Sequence, residues 1–392
     1  MSSQPLLLPE PPPLALYVHL PWCVRKCPYC DFNSHARRPE DDESGYLDAL
    51  LADLELELAL VAGRELHSIF IGGGTPSLFS GAAIRRLLQA VREGIRCETG
   101  LEVTLEANPG TAEAERFAAY RDAGVNRLSI GVQSFAHRSL ELLGRIHGPE
   151  EAVKAVGLAR QAGFDNLNLD LMFGLPEQDL DGARRDLDIA LELAPEHLSY
   201  YQLTLEPNTA FHHRPPPLPE DDLIWEMQQQ GLARLGRGGF DRYEVSAYAR
   251  PGRQCRHNLN YWGFGDYLGI GAGAHGKLSY PLGGIERRWK LRDPRAYAMA
   301  AGSPAALAGR RMLSRDDAVL EFMMNALRLD QGFSVGQFEA RTGIGFAEIR
   351  EPLRQLRDSG LLELGARRIR ASDLGQRFLN DLLRTFLPAE PD

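Results

Sequence analysis

Three of the chain's five cysteines fall within eight residues, in the stretch Tyr17-Val-His-Leu-Pro-Trp-Cys23-Val-Arg-Lys-Cys27-Pro-Tyr29-Cys30. Thiolates spaced C-x3-C-x2-C can face one point, and they are soft ligands suited to zinc, copper(I) or an iron–sulfur cluster. A disulfide does not account for them: pairing two leaves the third alone, and Cys97 and Cys255 are isolated. A structural zinc would need a fourth ligand, for which His19 or His35 is at hand. On spacing alone, iron–sulfur is favoured over zinc.

These residues need a scaffold, and the hydrophobic pattern supplies one. Strand-like runs at 14–20, 66–71, 101–106, 126–132, 166–173 and 197–205 alternate with helical periodicity at 44–61, 82–93, 112–123, 149–162 and 180–193. Glycine follows two of these helices, at Gly124 and Gly163, as a C-cap does. Strands separated by single helices imply right-handed parallel βαβ units, and six of them predict an open (β/α)6 barrel. Chemistry in such barrels gathers at the C-terminal ends of strands. The first strand ends just before the cysteines, and the second runs into Gly72-Gly73-Gly74-Thr75-Pro76. The next four end near Glu106 and Asn108, Gln133 and Ser134, Asp170, and Gln202 with Glu206. One polar residue there would be an ordinary loop residue; the repetition at one rim predicts a site.

The three-cysteine motif, with an aromatic before its last cysteine and a strand ending Gly-Gly-Gly-Thr-Pro, resembles the radical S-adenosylmethionine (SAM) superfamily. Tyr-Val-His-Leu-Pro-Trp-Cys, Gly-Val-Gln-Ser, Leu143-Gly-Arg145-Ile-His147 and Asp170-Leu-Met-Phe-Gly-Leu-Pro narrow the resemblance. They are similar to the oxygen-independent coproporphyrinogen III oxidase family, most closely its branch of haem chaperones. The resemblance implies a [4Fe–4S] cluster held by Cys23, Cys27 and Cys30, with one iron left open for SAM. It implies SAM contacts from Tyr17, Gly73, Gly74, Thr75, Glu106, Gln133, Arg145 and Asp170, with the Tyr29 ring near the adenine. The oxidases carry a fourth cysteine two positions after the third, where this chain has Phe32, and a longer N-terminal extension than the 22 residues before Cys23. Both departures count against decarboxylation of coproporphyrinogen III, which stands as the alternative activity. The segment His257-Asn258-x-x-Tyr261-Trp262 matches the HNxxYW element associated with haem binding in the chaperone branch. His257 is therefore the expected haem ligand, with Cys255 and His275 as competitors. The implied partners are haem-accepting proteins such as respiratory cytochromes and an electron donor for the cluster. A homodimer is the assembly considered.

The rest of the chain sets bounds. A formal net charge of −9 over 392 residues argues against a broad nucleic-acid surface. No apolar run approaches membrane-spanning length, the N-terminus lacks a secretory pattern, and unpaired cysteines suit a reducing cytoplasm. Residues 1–13 hold five prolines and read as a flexible tail, 14–250 as the barrel, and 251–310 as a connecting region. Within that plan, 221–235 is expected to be helical and 243–248 a short further strand. From 311 to 392, helix, helix-turn-helix and hairpin signals form a winged-helix-like pattern. Twelve basic against thirteen acidic residues there favour a lid or docking module over a DNA reader.

Overall fold

The computed structural model of the chain describes residues 6–111 and 114–387. Six parallel strands lie side by side in chain order: β1 (Leu14–Leu20), β2 (Glu65–Gly73), β3 (Arg96–Ala107), β4 (Arg127–Gln133), β5 (Leu167–Phe173) and β6 (His197–Gln202). Helices α1 (Glu43–Ala59), α2 (Gly81–Gly94), α3 (Ala114–Ala123), α4 (Pro149–Gln161) and α5 (Leu180–Glu192) return the chain between them. This is the expected open α/β arrangement; the predicted start of α3 at residue 112 lies outside the described residues. Three of these helices begin where short polar side chains cap them. Asp42 accepts from Ser44 and Gly45, Ser80 from Ala83, and Asp179 from Gly182.

Strand alternation divides the sheet into two faces. Leu16, Val18, Ile69, Ile71, Val103, Leu105, Leu128 and Ile130 pack into the core shared with the helices. The residues between them face the other way. Tyr17 pairs with Phe70, Glu106 with Ser129, and Asp170 with both Gly131 and Ser199. The inner face is thus polar and aromatic, and its upper rim holds the site.

The sheet does not stop at six strands. After α6 (Asp221–Arg237), β7 (Asp241–Glu244) and β8 (Ala247–Ala249) form a hairpin on β6 where one short strand over 243–248 was expected. The turn residues Val245 and Ser246 interrupt the pairing; Ser246 N–H donates to the Glu244 carboxylate at 2.9 Å. The expected connecting region instead carries α7 (Arg256–Trp262), β9 (Asp266–Ile270), β10 (His275–Tyr280) and β11 (Gly284–Lys290). β9 pairs parallel with β1, and β10, β11 and β12 (Leu307–Met312) follow antiparallel, giving twelve strands in all. The buried Asp266 anchors this extension. It pairs with Lys277 at 2.9 Å and with Arg64 at 2.8 Å.

A second core belongs to the C-terminal part, comprising α8 (Arg315–Ala326), α9 (Val335–Thr342), α10 (Arg350–Asp358) and the antiparallel hairpin of β13 (Leu362–Leu364) and β14 (Ile369–Ala371). Two short helices, Asp373–Arg377 and Leu379–Arg384, follow the hairpin with a break at Phe378. Leu6 and Leu8, assigned to a flexible tail, are buried in this second core. The stretch passes so close to Gly343 that a Cβ there would lie 2.7 Å from the Leu7 carbonyl oxygen.

Candidate functional site

The C-terminal ends of the parallel strands open into a cavity of about 350 Å³ lined by Cys23, Cys27 and Cys30. The loop that carries them is pinned where it leaves β1. Trp22–Cys23 pairs with His35–Ala36, and the Trp22 ring lies flat on Phe79 at 5.2 Å. Within the loop, Cys30 N–H donates to the Cys27 carbonyl at 3.1 Å. The three thiols line one cavity, and among the described residues no group of three His, Cys, Asp or Glu side chains forms a single-metal site. Both imidazoles considered as zinc ligands are engaged elsewhere. The His19 ring meets Tyr17 Oη at 2.9 Å and Asn33 O at 3.0 Å, and His35 Nε2 lies 3.3 Å from Asn33 Oδ1. Three thiols on one cavity fit a multi-iron cluster, in which each thiolate would take its own iron. Burial pushes the Cys23 and Cys30 thiols up, whereas Arg145 Nη1 stands 3.8 Å from Cys27 Sγ.

Gly73, Gly74, Thr75, Glu106, Gln133, Arg145, Asp170 and Tyr29 line the same cavity. Gly73 has φ +116°, and a Cβ there would fall 2.6 Å from His19 Cε1, so this position requires glycine. Its N–H donates to Glu106 Oε2 at 3.1 Å. Gln133 ends β4 at φ +69°, a left-handed conformation rare for a non-glycine residue, beside a register shift. Its Oε1 accepts from Tyr201 Oη at 2.8 Å. Burial, reinforced by Asp170, pushes the Glu106 carboxyl up to about 7. Asp170 is raised too, against hydrogen bonds from Asn168 at 2.8 Å and Ser129 at 3.4 Å. Arg145 donates to the Gly131 carbonyl at 2.6 Å, while its buried Nε has no hydrogen-bond partner. Two carboxyls that need a cation and a guanidinium donor that needs an acceptor fit an amino-acid moiety carrying both charges.

Tyr17 departs from this group. It faces a second cavity of about 750 Å³, which shares Asp31, Phe32, Gly73 and Glu106 with the first. His257, Tyr261 and His275 also line it, whereas Cys255 does not. Helix α7 presents His257 because Glu102, on β3, caps the helix in place of Cys255. The Glu102 carboxylate accepts from Arg256 N at 2.9 Å and His257 N at 3.3 Å, and the buried Cys255 thiol lies 3.6 Å away. Burial pushes that thiol up to about 12. His257 packs on Phe70 at 5.1 Å with Nδ1 3.5 Å from Ser68 Oγ. Burial, then His67 and Arg127, lowers its pKa to about 3, leaving a neutral imidazole. Trp262 turns away to pack on Tyr243 at 6.0 Å.

Sequence reasoning missed Ser129, Ser199 and Tyr201 on the first cavity. The signal was present: alternation along β6 puts Ser199 and Tyr201 on one face, and Ser199 pairs with Asp170.

Fold and cysteine motif together define a radical SAM protein, and residues 17–189 match the radical SAM superfamily. Residues 313–378 match the HemN C-terminal domain. The chain is 51% identical, over 96% of its length and 98% of the relative's, to heme chaperone HemW of Escherichia coli (strain K12). It is 37% identical to heme chaperone HemW of Mycobacterium tuberculosis (strain ATCC 25618 / H37Rv), over 98% of this chain and 97% of that one. Among solved structures, coproporphyrinogen III oxidase (HemN) from Escherichia coli aligns at TM-score 0.81 and 26% identity, covering 96% of this chain and 90% of that one. The chain belongs to the HemW family. Among the described residues, no helix is long and apolar enough to cross a membrane.

Proposed function

We propose that this protein is a haem chaperone that holds a [4Fe–4S] cluster on Cys23, Cys27 and Cys30, binds SAM beside it, and passes haem to haem proteins. The observation that carries the reading is the second cavity, walled by the HNxxYW helix and by the aromatic rings of Tyr17, Phe70 and Tyr267. Its volume of about 750 Å³ suits a flat cofactor-sized guest. The names of the relatives support haem as that guest.

In the first cavity, Glu106 and Asp170 receive the ammonium or ribose hydroxyls, the backbone at Gly73 and Gly74 approaches the amino-acid end, and Arg145 pairs with its carboxylate. Thr75, Gln133 and the Tyr29 ring complete the contacts. When bound, a cluster with an open iron supplies one-electron reduction of the SAM sulfonium. His257 is the proposed haem ligand, since its neutral ring lines the second cavity. Respiratory cytochromes are proposed recipients, and a separate protein is the proposed electron donor. The functional division runs as barrel (14–250), haem segment (251–310) and C-terminal docking module (311–392). Phe32, where the oxidases carry a further cysteine, is the feature set against coproporphyrinogen oxidation.

The test is an anaerobic comparison of two reactions of the cluster-loaded protein. Haem should bind with a Soret band and move to an apo-cytochrome, while coproporphyrinogen III with SAM and a reductant yields no protoporphyrinogen. Porphyrinogen conversion without haem binding would replace the chaperone by the oxidase.

A further inference from the structure

A row of residues crosses the inner face of the sheet beneath the second cavity. Phe70 on β2 pairs with Tyr17 on β1, which pairs with Gly269 on β9. Beyond Gly269 comes the start of β10, whose His275 pairs with Trp289 on β11. Gly269 is the gap in this aromatic row. A Cβ there would lie 2.0 Å from the His275 carbonyl oxygen, so the position stays bare because the His275 backbone packs directly against it.

Three histidines line the cavity, and they differ in how far they are committed. His19 has both ring nitrogens engaged, by Tyr17 and Asn33. His257 is 7% exposed, with Nδ1 near Ser68. His275 is exposed, and neither of its ring nitrogens has a hydrogen-bond partner among the described residues. Stacking on Trp289, at 6.3 Å and 23° between planes, holds the ring in place and leaves its edge nitrogens available. Arg292 lines the same cavity. Its Nε lies 3.5 Å from Asn33 Oδ1, and its charge has no carboxylate partner among the described residues.

Resting on the haem reading above, we propose that His275 is an axial ligand to the iron of the incoming haem, and that Arg292 pairs with a haem propionate. The chemistry is complementary on both counts. Imidazole nitrogen is a standard haem ligand, and a guanidinium recognises a carboxylate. An exposed ligand also suits a cargo that must leave again, because the iron can be exchanged without opening the core. His257, on the buried wall, keeps the role proposed above as the other ligand.

The experiment is a haem titration of the full-length protein, followed by its Soret spectrum. His275→Ala should lose the wild-type band position and weaken binding about tenfold or more, and added imidazole should restore the band. His275→Cys should shift the band to that of a thiolate-ligated haem, an outcome that mere packing by His275 would not give. Arg292→Ala should weaken haem without moving the band, and should leave affinity for haem dimethyl ester unchanged. Iron and sulfide content, carried by the other cavity, serves as the folding control. Wild-type spectra and affinity in both His275 variants, with loss of the band in His257→Ala, would overturn the assignment and leave the chaperone reading standing. A wild-type protein that binds no haem overturns both.

Discussion

Glu106 allows the electrostatics of the site to be tested before any ligand is bound. Its ordinary carboxyl pKa of 4.5 is pushed up to about 7 by burial and then by Asp170, against the opposing Gly73 N–H and Arg127. A carboxyl whose pKa is raised on folding stabilises the native state while protonated. That contribution is full below pH 4.5 and is lost as the pH rises through about 7. At about 1.4 kcal/mol per pKa unit, the loss across the window is at most about 3 kcal/mol. The side chain is half-buried and meets cavity solvent, so screening brings the expected effect to between about 1 and 3 kcal/mol. Glu106→Gln keeps the shape and removes the titration. Urea unfolding of cluster-free wild type and variant at pH 5 and pH 8 should show the variant gaining on wild type by that amount at the higher pH. SAM affinity of the wild type should rise over the same interval, because the ammonium prefers the carboxylate, and should rise less in the variant, which keeps only Asp170. Parallel stability curves for the two proteins would refute the assigned burial and the Asp170 coupling together.

Anaerobic reconstitution should load about four irons and four sulfides per chain. Ala at Cys23, Cys27 or Cys30 should abolish that loading, whereas Cys97→Ala and Cys255→Ala keep it; stoichiometric zinc without sulfide would end the cluster reading. Gly73→Val should eliminate SAM binding in equilibrium dialysis, since its side chain meets His19 and its φ of +116° excludes a branched residue. Asp170→Ala should weaken SAM by about 1–3 kcal/mol, the scale of a charge-assisted hydrogen bond; unchanged affinity would move the ligand away from β5. Glu102→Ala removes the carboxylate that caps α7 and should cost about 1–2 kcal/mol of stability in urea, with Glu102→Gln recovering part of it. No change in stability or in the haem spectrum would show that α7 is held by its packing alone.

The parallel half of the fold was legible because local pattern and tertiary role agree there. β1 was read to the residue at both ends, since apolar alternation, the preceding prolines and the following Pro21 all mark the same boundaries. The extension from β9 to β12 was not read. Its strands pair with partners far away in sequence, β9 with β1 across some 250 residues, and its glycine-dense stretch carries a weak strand pattern. The same argument covers Leu6 and Leu8. Three leucines among prolines resemble a tail until the C-terminal core that receives them is in place. Helix α7 went unread because its cap comes from Glu102 on another strand, and Cys255 at the local cap position gives no signal of its own.

At the site, strand pattern fixes which face a residue takes but not how deep along the strand it lies. Strand ends bring Glu106, Gln133 and Asp170 to one cavity, since period-two alternation and parallel register fix which residues share a face. Tyr17 obeys the same alternation but sits three residues before β1 ends, below the rim, with Phe70 and Gly269 as neighbours. Depth along the strand therefore sends it to the second cavity, although its face is right. Gly73, Glu106, Asp31 and Phe32 line both cavities. A larger side chain at 73 would collide with His19, which lines the second cavity, while the backbone N–H at the same residue holds Glu106 of the first. One glycine thus sets the shape of both chambers, and a substitution there cannot alter one without reaching the other.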